Sequence, residues 1–94
     1  MIVRVVRMTF KVGKEQEFLA IFNENKDKIR NFDGCSHLDL LQDTTQPNVF
    51  STYSHWESEA ALDAYRHSEL FSEVWAETKK LFSAKPIAHS YSPR

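Results

Sequence analysis

Residues 35–56, CSHLDLLQDTTQPNVFSTYSHW, decide the architecture. Two runs of equal length, CSHLDLLQ (35–42) and VFSTYSHW (49–56), flank DTTQPN, a segment of turn-forming residues. The pattern is two strands joined by a hairpin loop. Upstream, IVRVVRMTFKV (2–12) alternates. Ile2, Val6, Met8, Phe10 and Val12 share one side with Arg4, and Val3, Val5, Arg7, Thr9 and Lys11 share the other. Both faces of this strand are therefore partly apolar. Gly13 ends it, and KEQEFLAIFNENKDKIRNF (14–32) switches to a helical period with Phe18, Ile21, Phe22, Ile29 and Phe32 on one stripe. Glu15 and Glu17 near its start and Lys28 and Arg30 near its end suit the helix dipole, and Asp33-Gly34 stops it.

Downstream of the hairpin, Ser58 is placed to cap a helix carrying Leu62 and Tyr65. His67-Ser68 interrupts that helix. Ser68 caps a second segment with Leu70, Phe71, Val74, Trp75, Leu81 and Phe82 inward. KPIAHSY (85–91) reads as a last strand, and Pro86 places its start at a sheet edge. The order is β-α-β-β-α-β, the ferredoxin-like split βαβ arrangement of the α+β class. Its helices are expected on one face of a four-stranded antiparallel sheet. The other face, with Val3 and Val5, then lies bare, and a second copy is the simplest cover.

Ninety-four residues make one domain, residues 1–94. A chain this short buries only about 60–65% of the surface its unfolded form exposes, so surplus apolar surface points to self-association. Twelve basic and thirteen acidic residues give a net charge of -1, with no basic stripe to hold nucleic acid or an anionic membrane. Cys35 is the only cysteine, which excludes an internal disulfide and fits a reducing compartment. No segment reaches transmembrane length, and MIVRVVRM lacks the features of a signal peptide, so the expected location is cytoplasmic.

The stretch GCSHLDLLQDTTQPNVFSTYSHWESEAALDAYRHSELF (34–71) resembles the antibiotic-biosynthesis monooxygenase family. The shared features are a Gly-Cys strand start, a short hairpin, a Trp ending the third strand, a Ser/Glu/Ala-rich helix and Ser-x-x-Phe, here Ser68 to Phe71. FKVGKEQEFLAIF (10–22) is similar to the family's passage from strand through Gly to helix. The resemblance covers nearly the whole chain. It implies a ferredoxin-like protomer, a homodimer whose sheets pack face to face as an α+β barrel, and a pocket between sheet and helices. Members include cofactor-free monooxygenases of quinols and aromatic phenols, haem-degrading enzymes and an isomerase, and the fold does not choose among them.

The haem-degrading members share an Asn on the first strand, a Trp on the second helix and a His further on. By the landmarks above these positions fall on Val6, Tyr65 and Trp75, and no residue type matches. A metal site has little more support. His37, His55, His67 and His89 occur without H-x-H or H-x-x-x-H spacing. Cys35, His37 and Asp39 would share one strand face, but no fourth ligand lies near. G-x-S-x-G is absent, and Gly13 and Gly34 are too few for a phosphate loop.

An aromatic pocket with a few polar groups remains, and no cofactor is expected. Tyr65 and Trp75 are either plain core or pocket lining with O–H and N–H groups for a ligand oxygen. Val6, Met8 and Phe71 supply apolar wall. Arg4 on the same strand side is either an end-of-strand charge reaching solvent or an anion clamp. Cofactor-free oxygenation of an aromatic hydroxyl compound by dioxygen needs a base, a dry ring-binding wall and stabilisation of negative charge. His67 is the first candidate base and His55 the second. The leading expectation is a homodimeric, cofactor-independent monooxygenase. A binding or sensing domain and a haem-binding protein are the alternatives.

Overall fold

A computed structural model describes residues 1–94. The elements run β1 (Ile2–Thr9), α1 (Glu15–Arg30), β2 (Cys35–Gln42), β3 (Val49–Trp56), α2 (Glu59–Arg66), α3 (Glu69–Lys79) and β4 (Ile87–Tyr91). The four strands form one antiparallel sheet in the order β2-β3-β1-β4. This is the expected ferredoxin-like arrangement, with the second helix divided in two. β4 is an edge strand, as Pro86 implied, and is exposed throughout.

The division has a local cause. Ser58 Oγ accepts from Ala61 N at 3.1 Å and starts α2. Ser68 Oγ accepts from Phe71 N at 3.1 Å and starts α3, so one helix ends at His67 and the next begins at once. α1 has no side-chain cap from Lys14; Glu15 instead reaches back to accept from Gly13 N at 2.9 Å. Gly34 ends the turn after α1 with φ +91°, and a Cβ there would sit 2.5 Å from Ala61 Cβ. Only glycine lets β2 start this close to α2.

Regular β1 pairing stops at Thr9 rather than at residue 12. Phe10 leaves the ladder, pairs with Phe82 by a single bridge, and is fully buried. Val12, expected inward, is 87% exposed, because the chain has already turned toward α1. A bulge between Cys35 and His37 also changes β2. Cys35 lies opposite Trp56 on the helix side, while His37 lies opposite His55 on the open side. The Cys35, His37 and Asp39 trio is thus divided between two faces, and no group of three potential metal ligands exists in the chain. No helix is long and apolar enough to cross a membrane.

Two hydrophobic clusters sit between sheet and helices. One holds Met8, Phe10, Phe18, Phe22, Phe50 and Leu81; the other holds Cys35, Trp56 and Leu62. Aromatic contacts lead from one to the other. Phe32 and Trp56 pack on Tyr65, Tyr65 on Phe71, Phe71 on Trp75, Trp75 on Phe82, and Phe82 on Phe10.

Candidate functional site

Strand alternation builds the floor of a cavity of about 420 Å³ between the sheet and the helices. Register places Leu38, Ser54, Arg4 and Ser90 in one row across the sheet, and Leu40, Thr52, Val6 and Ala88 in the next. Met8 closes the floor beside Phe18 and Phe22 of α1. The size lies within the range of small-molecule sites. It is nearly three times the roughly 150 Å³ apolar cavity that holds benzene, enough for a fused aromatic system.

The divided second helix forms the opposite wall. Tyr65, Arg66 and His67 come from the end of α2 and Phe71, Val74 and Trp75 from α3. Tyr65 stacks on Trp56 at 4.9 Å between centroids and meets Phe71 edge-on at 5.2 Å. Trp75 stacks on Phe71 at 5.6 Å. Whether Tyr65 and Trp75 are core or lining has one answer for both. They belong to the aromatic chain of the interior and also border the cavity.

The polar groups differ in what each can do. His67 Nδ1 lies 2.8 Å from the carbonyl oxygen of Asp63. A carbonyl only accepts, so Nδ1 carries the proton and the neutral ring keeps a lone pair on Nε2. Burial, and secondarily Cys35, pushes the Tyr65 phenol well above its ordinary pKa, so it remains a neutral O–H donor. Burial likewise raises the Cys35 thiol, against smaller opposing effects of the His37 backbone and Arg30. A raised pKa disfavours the thiolate that nucleophilic chemistry would need. The Trp56 indole is satisfied internally, donating to Ser54 Oγ at 3.0 Å.

Arg4, Val6, Met8, Tyr65, His67, Phe71 and Trp75 all border this one cavity. His55 does not. It neighbours Trp56 in sequence and therefore points the opposite way, onto the open sheet face with His37 and Tyr53. That face is the wrong side of the sheet for a base acting in the cavity. The sequence reading omitted Arg66, Thr52 and Ser54 from the lining. The two β3 residues were legible, because they share the parity of Trp56. Arg66 gave no such signal; it stands at the end of α2 beside Tyr65 and His67, which border the same cavity.

Comparison with known proteins accords with this architecture. The family model described as antibiotic biosynthesis monooxygenase matches residues 1–77. An uncharacterised protein of Synechocystis sp. is 30% identical over 76 residues, covering 81% of this chain and 51% of that protein. The chain thus spans about half the length of that curated relative. A crystal structure described as an antibiotic biosynthesis monooxygenase superposes with a TM-score of 0.93 at 20% identity, covering 100% of this chain and 99% of the other. A conserved protein from Methanosarcina mazei Go1 gives a TM-score of 0.92 at 21% identity, with 100% and 94% coverage. The structural matches speak for the fold alone. The family match, extending from β1 through most of α3, shows that the chain belongs to the antibiotic biosynthesis monooxygenase family.

Proposed function

We propose that this chain is a homodimeric, cofactor-independent monooxygenase that oxidises a small aromatic, hydroxyl-bearing or quinol-like molecule with dioxygen. The observation that carries the reading is His67 at the border of an aromatic cavity, with Nδ1 held by Asp63 and Nε2 free to take a proton. In this scheme His67 removes the acidic proton of the bound substrate. Tyr65 and Trp75 donate hydrogen bonds to the oxygen on which negative charge collects. The arylate gives an electron to dioxygen, and recombination forms a C–O bond and a hydroperoxide. In an anthrone-like substrate, whose acidic carbon is a CH₂, loss of water from the hydroperoxide converts that CH₂ into C=O. One dioxygen atom ends in the product and the other in water, and the substrate supplies all four electrons that reduce dioxygen.

Second-copy association is supported by the open sheet face. It bears Val3 and Val5, the exposed apolar side chains of Leu41, Ile87 and Tyr91, and a His55 Nε2 that is shut from solvent without a hydrogen-bond partner. A matching face would bury that surface and offer the imidazole a partner. Haem chemistry fits less well. The positions corresponding to the haem-degraders' residues are Val6, Tyr65 and Trp75, and the Val and Trp side chains cannot ligate iron.

The test is oxygen uptake with hydroquinones and anthrone-like compounds, with ¹⁸O₂ to follow the atoms. One labelled oxygen is expected per product. His67→Ala should lower turnover about 10²–10⁴-fold, the range for losing a general base. Tyr65→Phe should lower it less, by the equivalent of about 1.5–3 kcal/mol for one hydrogen bond to a charged oxygen. Turnover that survives His67→Ala would remove the assignment. Ligand binding without oxygen uptake would make the chain a binding or sensing domain, and a Soret shift on haem addition would reopen the haem reading.

A further inference from the structure

We propose that Arg4 and Arg66 form a subsite for a carboxylate, so that the molecule bound in the cavity is an aromatic carboxylate with its rings toward Met8 and its charge toward the two guanidinium groups. The inference rests on the reading of the cavity as a small-molecule site and adds a substrate class to it. Arg4 stands on the helix-facing side of β1, where the other residues bordering the cavity are Val6 and Met8. Its one hydrogen bond within the chain is from Nη1 to Ser90 Oγ at 3.0 Å, a neutral acceptor. A guanidinium carries five N–H donors in a planar fork suited to a carboxylate, so most of this one's capacity is unspent.

Arg66 reaches the same cavity from the end of α2. Its only ion pair, to Asp63 at 3.7 Å, is long and exposed, and holds the group weakly. No Asp or Glu borders the cavity, so the long Asp63 contact of Arg66 is the only carboxylate that offsets the two positive charges. Burial, and secondarily the charge of Arg66, lowers the pKa of Arg4. Two guanidinium groups on one cavity, with only an exposed carboxylate at 3.7 Å from one of them, repel each other, and a bound anion would relieve that repulsion. Met8 lies four residues along β1 from Arg4, about 13 Å at strand rise, and beside it are Phe18 and Phe22. The cavity thus has a cationic end and an apolar end. A phosphate-rich or wholly polar ligand would waste the second, and a neutral hydrocarbon the first.

Anthracene-2-carboxylate and anthracene-2-carboxamide have the same rings and differ in charge, and both can be titrated by fluorescence into the purified full chain. The carboxylate is expected to bind about tenfold or more tightly than the amide, the effect of at least one charge-assisted hydrogen bond. That preference should shrink as salt is raised from about 50 to 500 mM. Arg4→Gln should abolish it, and Arg66→Gln should reduce it by weakening the carboxylate more than the amide. Arg66 lies at an exposed helix end, so its variant keeps the test decisive if Arg4→Gln fails to fold. Equal affinity of the two probes for the wild type, or a preference surviving both substitutions, would overturn the anion subsite and leave the apolar cavity standing. If neither probe binds, the cavity reading falls together with the subsite.

Discussion

Replacing Trp56 tests the architecture where fold and site meet. Its side chain is 1% exposed, stacks on Tyr65, meets Phe32 edge-on and packs with Cys35 and Leu62. Its N–H also satisfies the buried Ser54 hydroxyl. Trp56→Ala removes the ring, leaves Ser54 without its donor, and opens a void beside an existing cavity that cannot collapse to fill it. The expected loss is about 3–5 kcal/mol, the range for deleting a large buried aromatic. Trp56→Phe keeps a ring against Tyr65 and forfeits the N–H, so it should cost about 1–2 kcal/mol less than the alanine variant. For a chain this size each kcal/mol corresponds to roughly 4–8 °C in Tm, which puts the alanine variant at least about 12 °C below wild type. The assay is thermal and urea denaturation at one fixed protein concentration, since association would otherwise shift the midpoint. A loss under about 1 kcal/mol, the size of an ordinary surface substitution, would refute the reasoning. The indole would then be a movable cover over the cavity and not part of its frame.

Three further outcomes follow from other parts of the molecule. Val5→Glu, on the open sheet face, should disrupt the proposed association of two copies and give monomer or aggregate by light scattering, since burying an unpaired carboxylate costs several kcal/mol; a monomeric wild type, or an association that Val5→Glu leaves unchanged, would exclude that face as the interface. Gly34→Ala should destabilise by at least about 1–3 kcal/mol, because the left-handed φ and the contact with Ala61 Cβ act together; wild-type stability in urea would contradict that geometry. Asp43 accepts from Thr45 N at 2.8 Å, Gln46 N at 2.9 Å and Thr45 Oγ1 at 2.9 Å, and these bonds lower its pKa. A lowered folded-state pKa contributes stability above the unfolded carboxylate value of about 3.9, lost as pH falls through the folded value. The Tm advantage of wild type over Asp43→Asn should therefore narrow on acidification below about pH 4, and a constant gap would rule out this loop as its source.

Much of this was legible because period and punctuation agreed. The hairpin strands end where the sequence reading placed them, and Ser58 and Ser68 cap as their positions suggested. What was not legible depends on contacts between distant residues. β1 leaves the ladder at Phe10 because Phe82, far along the chain, pairs with it there. The β2 bulge reverses the facing of His37 relative to Cys35, and such a shift of parity leaves no mark in a short polar strand start. His55 is different. Its side of the sheet was implied by the inward Trp56 beside it, and only its histidine chemistry suggested a place in the cavity.

The cavity also separates the two hydrophobic clusters, with Met8, Phe18 and Phe22 on one side and Trp56 and Leu62 on the other. A bound aromatic molecule would therefore act as a keystone, adding a second bridge between two half-cores that the polypeptide joins only along one wall, through Tyr65, Phe71, Trp75 and Phe82. Occupancy and resistance to unfolding are then coupled quantities. A ligand present at a hundred times its Kd adds about 2.7 kcal/mol, which for a chain of this length is a rise of roughly 10–20 °C in Tm. Screening aromatic compounds by their effect on melting would thus rank them by fit to the gap before any reaction is known.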